Sequence, residues 1–132
     1  HTAYRRQRQM CIRDSFKTLE SLRIENKLHT INTSKITNDT PKTDILYSDD
    51  YVWIESVNVF AKIKLACQNE GISFDLSRQE LYQKLESEKL LITKDNRRSY
   101  EYRKGQFRQS VICLPRNNLN RYLTYDKEDI KL

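Results

Sequence analysis

The chain reads as α+β: two main helices and a basic β-hairpin, preceded by a small hairpin and an N-terminal helix. Three observations predict this. Ser77-Arg78-Gln79-Glu80 is a capping box placed just before apolar residues at helical spacing. Residues 98–103 and 107–114 alternate on either side of Gly105, a glycine able to take the positive φ of a tight hairpin. Glycine and proline number two each while charged residues make up 32%, so breakers are few and regular elements should dominate.

The elements follow in order. Phe16 to Leu28 carries Phe16, Leu19, Leu22 and Leu28 with charges between them, an amphipathic helix. His29 to Asp44, rich in Thr, Asn, Ser and Asp, predicts a polar loop or linker, because such side chains compete for backbone hydrogen bonds. Ile45-Leu46-Tyr47 and Tyr51-Val52-Trp53-Ile54 flank Ser48-Asp49-Asp50 as strand, turn, strand. Ser56 is placed to cap a helix from Val57 to about Asn69, with Val59, Phe60, Ile63, Ala66 and Cys67 on its apolar stripe and Gly71 as its stop. The helix over 77–90 buries Leu81, Tyr82, Leu85 and the stem of Lys89, with Leu76 and Leu81 as its hydrophobic staple. Leu90-Leu91-Ile92 leads out as a short strand. In the hairpin, Tyr100 and Tyr102 on one strand and Val111 and Cys113 on the other predict one buried face. Helix, helix, strand, hairpin is the outline of a winged helix, so residues 45–116 read as a winged-helix-like domain. Residues 16–44 then form a truncated helix and linker, and 117–132 a C-terminal tail.

Residues 1–15 stand apart. Arg5 to Asp14, RRQRQMCIRD, resembles the in-frame translation of a transposase-tagging sequencing-library adapter, and Ser15 fits the codon that follows. The expectation is therefore an adapter-derived, disordered segment that packs on nothing, ahead of the C-terminal part of a longer, cut gene. Setting it aside lowers the formal charge from +6 to +3 and leaves Cys67 and Cys113. Two distant cysteines make neither a disulfide framework nor a zinc site. They suit small buried residues of a reducing compartment, and with no apolar run of membrane length the expected location is cytoplasmic.

The functional signal is local charge. From Lys94 to Arg116 seven cations face two carboxylates, whereas residues 16–93 hold ten basic and twelve acidic side chains. Lys94, Arg97, Arg98, Arg103, Lys104 and Arg108, interleaved with Tyr100, Tyr102 and Phe107, suit a nucleic-acid backbone and its bases. Arg78, Gln79, Gln83 and Lys84 would line the exposed surface of a recognition helix, opposed there by Glu80, Glu86 and Glu88. The bland alternative is a solvated hairpin whose charges protect an edge strand. Nothing else carries chemistry. His29 is the one histidine after residue 15, Asp49-Asp50 fits turn chemistry, and Trp53 suits a core or interdomain plug. No catalytic residue, metal site or cofactor is implied.

The stretches ILYSDDYVWI, VFAKIKLACQNEGISFDLSRQELYQKLESEKLL and RRSYEYRKGQFRQSVICLP together resemble the C-terminal region of helicase-like ATPases and primase-associated proteins of phages, plasmids and integrated elements. Asp49-Asp50 stands at that family's aspartate turn, Glu70-Gly71-Ile72-Ser73-Phe74 at its interhelical break, and Arg103-Lys104-Gly105-Gln106-Phe107-Arg108 at its basic hairpin. The likeness covers residues 45–116. The chain departs from the family's better-known part, with no GxxxxGK[ST] loop and no acidic strand end. The resemblance implies an accessory module that contacts DNA, single- or double-stranded and without sequence preference, for an upstream ATPase domain. The competing class is a docking or oligomerisation domain of that ATPase. In both, any ATPase activity lies outside this chain, and no membrane is involved.

Overall fold

In the computed structural model, residues 2–71 and 76–119 are described. The architecture is mixed α+β, with helices on one face of a five-stranded sheet. Helix α1 spans Thr2–Ile24, strands β1 and β2 span Thr30–Asn32 and Ile45–Tyr47, and β3 spans Tyr51–Glu55. Helices α2 (Asn58–Asn69) and α3 (Arg78–Ser87) precede strands β4 (Ser99–Lys104) and β5 (Phe107–Pro115), and a short α4 covers Arg116–Leu119. The sheet order is β1-β2-β3-β5-β4, parallel only between β1 and β2.

The two hairpins predicted separately are parts of one sheet, because β5 lies between β3 and β4. Its register, Trp53↔Cys113 on one side and Tyr100↔Val111 on the other, sets Ile112 and Leu114 toward the helices and Val111 and Cys113 toward the opposite face. All four are buried, so both faces are covered rather than the single one expected. On the helical side Ile45, Val52, Ile54, Ile112 and Leu114 share a core with Phe16, Leu19, Val59, Ile63, Leu81 and Leu85. That core joins α1 to the sheet. On the other side Leu46, Phe107 and Ile36 pack with Ile31, Trp53 and Tyr102.

The segment read as a linker is built into the fold. It contributes β1, a 3-10 turn over Thr33–Lys35, and the apolar plug Ile36. Its ties are single side chains reaching far along the chain. The buried Gln109 amide accepts from the Thr43 amide at 2.8 Å and donates to the Thr43 carbonyl, so a side chain imitates a strand pairing. Asp44 accepts from the His29 amide at 2.8 Å and faces Lys62 of α2 at 3.4 Å.

Residues 1–15 also differ from expectation. Helix α1 runs back to Thr2, and Ile12 and Ser15 are buried. Ile12 stands four residues before Phe16, so a helix continued backwards in register lands it on the same stripe, whatever the origin of those residues. The helix ends at Ile24 rather than Leu28. Asn26 takes φ +60°, and Lys27 donates to the Leu22 carbonyl at 2.9 Å, a left-handed stop that folds Leu28 back into the core.

Local chemistry explains the other two helices. Ser56 does not cap α2. Its hydroxyl bonds that of Ser110 at 3.1 Å, while the Glu55 carboxylate accepts from the amides of Val57 at 2.7 Å and Asn58 at 2.6 Å. A carboxylate at a helix N-terminus meets both orphan donors and the dipole, which outcompetes a hydroxyl already engaged by the neighbouring strand. Gly71 ends the helix at φ +77°, as expected. The capping box on α3 is present in both directions, Ser77 Oγ accepting from the Glu80 amide and Glu80 accepting from the Ser77 amide, each at 3.1 Å. Those bonds hold the Glu80 carboxyl below its ordinary pKa. Helix α3 stops at Ser87, and Lys89 is exposed rather than packed through its stem. It sits at φ +60°, while Leu90 donates to the Leu85 carbonyl at 2.8 Å and is fully buried. Leu90 and Leu91 are core residues, and only Ile92 forms a bridge, to Cys113.

Both ends of α3 can be tested by stability. Ser77→Ala with Glu80→Ala should lower it by about 1–2 kcal/mol, read as a fall in the urea midpoint, since two amides are left without partners. Lys89→Gly should raise it by up to about 1 kcal/mol, because a side chain at left-handed φ costs roughly that much more than glycine.

Candidate nucleic-acid interface

The hairpin of β4 and β5 turns through Gly105 and Gln106, with Gly105 at φ +58° and Lys104 paired to Phe107. Its tip is clasped, not free. Asn38 accepts from the Gln106 amide at 3.0 Å, and the Lys104 ammonium donates to the Thr33 carbonyl. A Cβ at residue 105 would also run into the Asn38 side chain.

The cations picked out in the sequence divide by location. Arg103 and Arg108 oppose each other across the hairpin, with Glu101 at 2.7 Å from the first and 3.8 Å from the second. Arg98 pairs with Glu86 of α3 at 3.2 Å. The Lys94 ammonium lies over the Tyr100 ring, 5.2 Å from its centroid. Arg97 is exposed and its guanidinium has no hydrogen-bonded or ionic partner among the described residues; its backbone closes a turn with Lys94. Arg116 sits at the far end of the sheet on the Ser48 carbonyl at 2.7 Å. The basic groups thus lie on both faces of the hairpin.

The aromatic residues need one correction. Phe107 is buried and belongs to the outer core, so it offers no stacking surface. Tyr100 and Tyr102 are half-buried, and Trp53, read as a plug, stands beside them. The Trp53 indole donates to the Tyr100 hydroxyl at 3.0 Å, and its ring lies 5.2 Å from that of Tyr102 and 5.8 Å from that of Tyr51. Burial pushes the Tyr100 hydroxyl up to about 12 and the Cys113 thiol beneath it up to about 11, so both are neutral near pH 7.

On α3, Gln79, Gln83 and Lys84 are exposed, as a recognition surface would need. Arg78 is not available in the same way, since its guanidinium donates to the Ser56 carbonyl at 3.4 Å, beside the Tyr82 hydroxyl at 2.7 Å. An open cavity of about 660 Å³ separates α3 from the chain entering β4, lined by Gln79, Glu86, Thr93, Asn96, Arg97, Arg98 and Ser99. A second, of about 450 Å³, lies over the outer face of the sheet between Trp53, Tyr100, Tyr102 and the turn carrying Lys94 and Arg97. Sequence reasoning missed Trp53 here, although its alternation with Tyr51 on one strand face was visible.

Among the described residues no group of three or more His, Cys, Asp or Glu is arranged to hold a metal ion. Nor is any helix among them long and apolar enough to cross a membrane. Residues Ile72 to Phe74 of the interhelical motif and 120–132 of the tail lie outside the described residues. Neither models of known protein families nor curated proteins match this chain.

The clasp on the hairpin tip can be tested directly. Asn38→Ala should speed hydrogen exchange at the Gln106 amide, while the cross-strand amides of β4 and β5 exchange as before; equal rates at Gln106 would mean the clasp is not formed in solution.

Proposed function

We propose that this chain is a winged-helix-like accessory module that contacts nucleic-acid backbones without sequence preference, within a replication ATPase or primase of a mobile element. The observation that carries the contact is the cross-strand pair Arg103 and Arg108. Like charges directly opposite one another destabilise a hairpin, and here they share the single carboxylate of Glu101. A phosphate would supply the missing negative charge. Arg97 adds an exposed guanidinium on the turn before β4. The winged-helix reading is supported by the succession α1, β3, α2, α3, β4, β5 with β5 between β3 and β4, in which the β4–β5 hairpin is the wing and α3 the helix beside it. The module carries out no reaction itself in this reading, and the ATPase chemistry belongs to the upstream domain that the resemblance implies.

Docking on that ATPase, without DNA, is the second reading. It is favoured by Val57 and Leu65, apolar residues of the α2 region that are at least half exposed.

Replacing Arg97, Arg103 and Arg108 together by Ala should weaken binding to oligonucleotides of any sequence. It should also flatten the salt dependence, by about one unit of slope for each phosphate no longer engaged. Folding should be retained, because exposed charges contribute little to stability. Fluorescence anisotropy at two salt concentrations reads both effects. Flat titrations of the unmodified chain at low salt would overturn the nucleic-acid reading and leave docking.

A further inference from the structure

We propose that the outer face of the sheet is a base-stacking site for single-stranded nucleic acid, formed by Trp53, Tyr100 and Tyr102 and rimmed by Lys94, Arg97 and Arg103. This deepens the reading above and rests on its backbone contact, with which it shares Arg97 and Arg103, but it adds an aromatic face with its own ligand form. Trp53 comes from β3 and the two tyrosines from β4. Their side chains meet across the intervening β5, where Cys113 and Val111 are small enough to let the rings approach.

The rings are held before any ligand arrives. The indole N–H is already bonded to the Tyr100 hydroxyl, and Tyr102 is wedged between Trp53 and Phe107, at centroid distances of 5.2 and 6.2 Å. Their polar atoms need nothing from a ligand, so what they offer is ring surface. Stacking on such rings is tolerant of base identity. The cavity of about 450 Å³ is of the size that holds small organic groups, and suits an unpaired base with its sugar. A duplex has its base faces covered by their neighbours and cannot use it.

Charge complementarity points the same way. Three cations line the cavity against Asp95 and Glu101, and Glu101 is bonded to Arg103 at 2.7 Å. Lys94, now over Tyr100 at 5.2 Å, holds that ring by an exposed cation–π contact weak enough to exchange for a phosphate. The tyrosine hydroxyls, raised by burial, add no negative charge near pH 7.

Trp53 is the only tryptophan in the chain, so intrinsic tryptophan emission reports on this site alone. The full chain is titrated at low salt with a labelled oligothymidylate of about ten nucleotides, and separately with a duplex of equal length. Anisotropy and tryptophan emission are followed together. The site predicts saturable quenching by the single strand, at the midpoint seen by anisotropy, and no quenching by the duplex. Tyr102→Leu, which keeps apolar volume in the outer core but removes the ring, should weaken single-strand binding roughly tenfold and leave duplex binding unchanged. Should that variant unfold, Lys94→Glu, at an exposed position outside the Arg97, Arg103 and Arg108 set, serves instead and should weaken the single-strand quenching titration while duplex binding stays as it was. Single strand and duplex binding equally, with emission unchanged, would overturn the stacking site while leaving the backbone contact standing. Binding of neither overturns both.

Discussion

The fold depends on a strand that must be covered twice. Val111 to Leu114 are four consecutive buried apolar residues in β5, and a pleated strand turns alternate side chains to opposite faces. Here the helices cover one of those faces. On the other, Ile31, Leu46, Trp53, Tyr102 and Phe107 of the strands themselves cluster, and Ile36, from the segment between β1 and β2, packs against them. That requirement explains why residues 29–44, polar by composition, are bound to the sheet, and why the aromatic residues gather where they do.

The same constraint separates two kinds of surface at the basic end of the molecule. Arg108 projects from the helical face of the hairpin, where Glu101 partly compensates it, while Arg103, paired opposite it on the edge strand, also reaches the cavity beside the aromatic rings. The aromatic rings occupy the other face, with Lys94 and Arg97 arriving from the preceding turn. A nucleic acid that touched both would have to pass around the edge of β4, which is the outermost strand. An extended single strand can bend in that way far more easily than a stiff duplex.

Features governed by neighbours in sequence were legible before the structure. The capping box at Ser77 and Glu80, the left-handed stop at Gly71 and the turn at Gly105 each involve a few adjacent residues with few alternatives. What escaped was settled by single long-range partners. Thr43 meets Gln109 from 66 residues away, and Lys104 meets Thr33 from 71, with no periodic signal to announce either. Glu55 displaced Ser56 as the cap of α2 because the strand beside it had already engaged the Ser56 hydroxyl. Lys89 took a conformation normally left to glycine because Leu90 had to enter the core. For the interface, the sequence located the positive charge between residues 94 and 116 but could not show that Glu86, Glu101 and the Thr33 carbonyl draw on it, nor that Trp53 completes the aromatic cluster.

The sheet order also sets when the protein can become itself during synthesis. Strand β3 finds its principal partner only when β5 has been made, since Tyr51 pairs with Pro115 and Glu55 with Val111. Until then a nascent chain carries Val52 and Ile54 on a half-built sheet whose inner edge is open to any other strand. Such non-local closure is slow compared with helix formation. The interval in which the emerging chain is vulnerable to mispairing is therefore written into the position of β5, and it closes when β5 pairs with both β3 and β4.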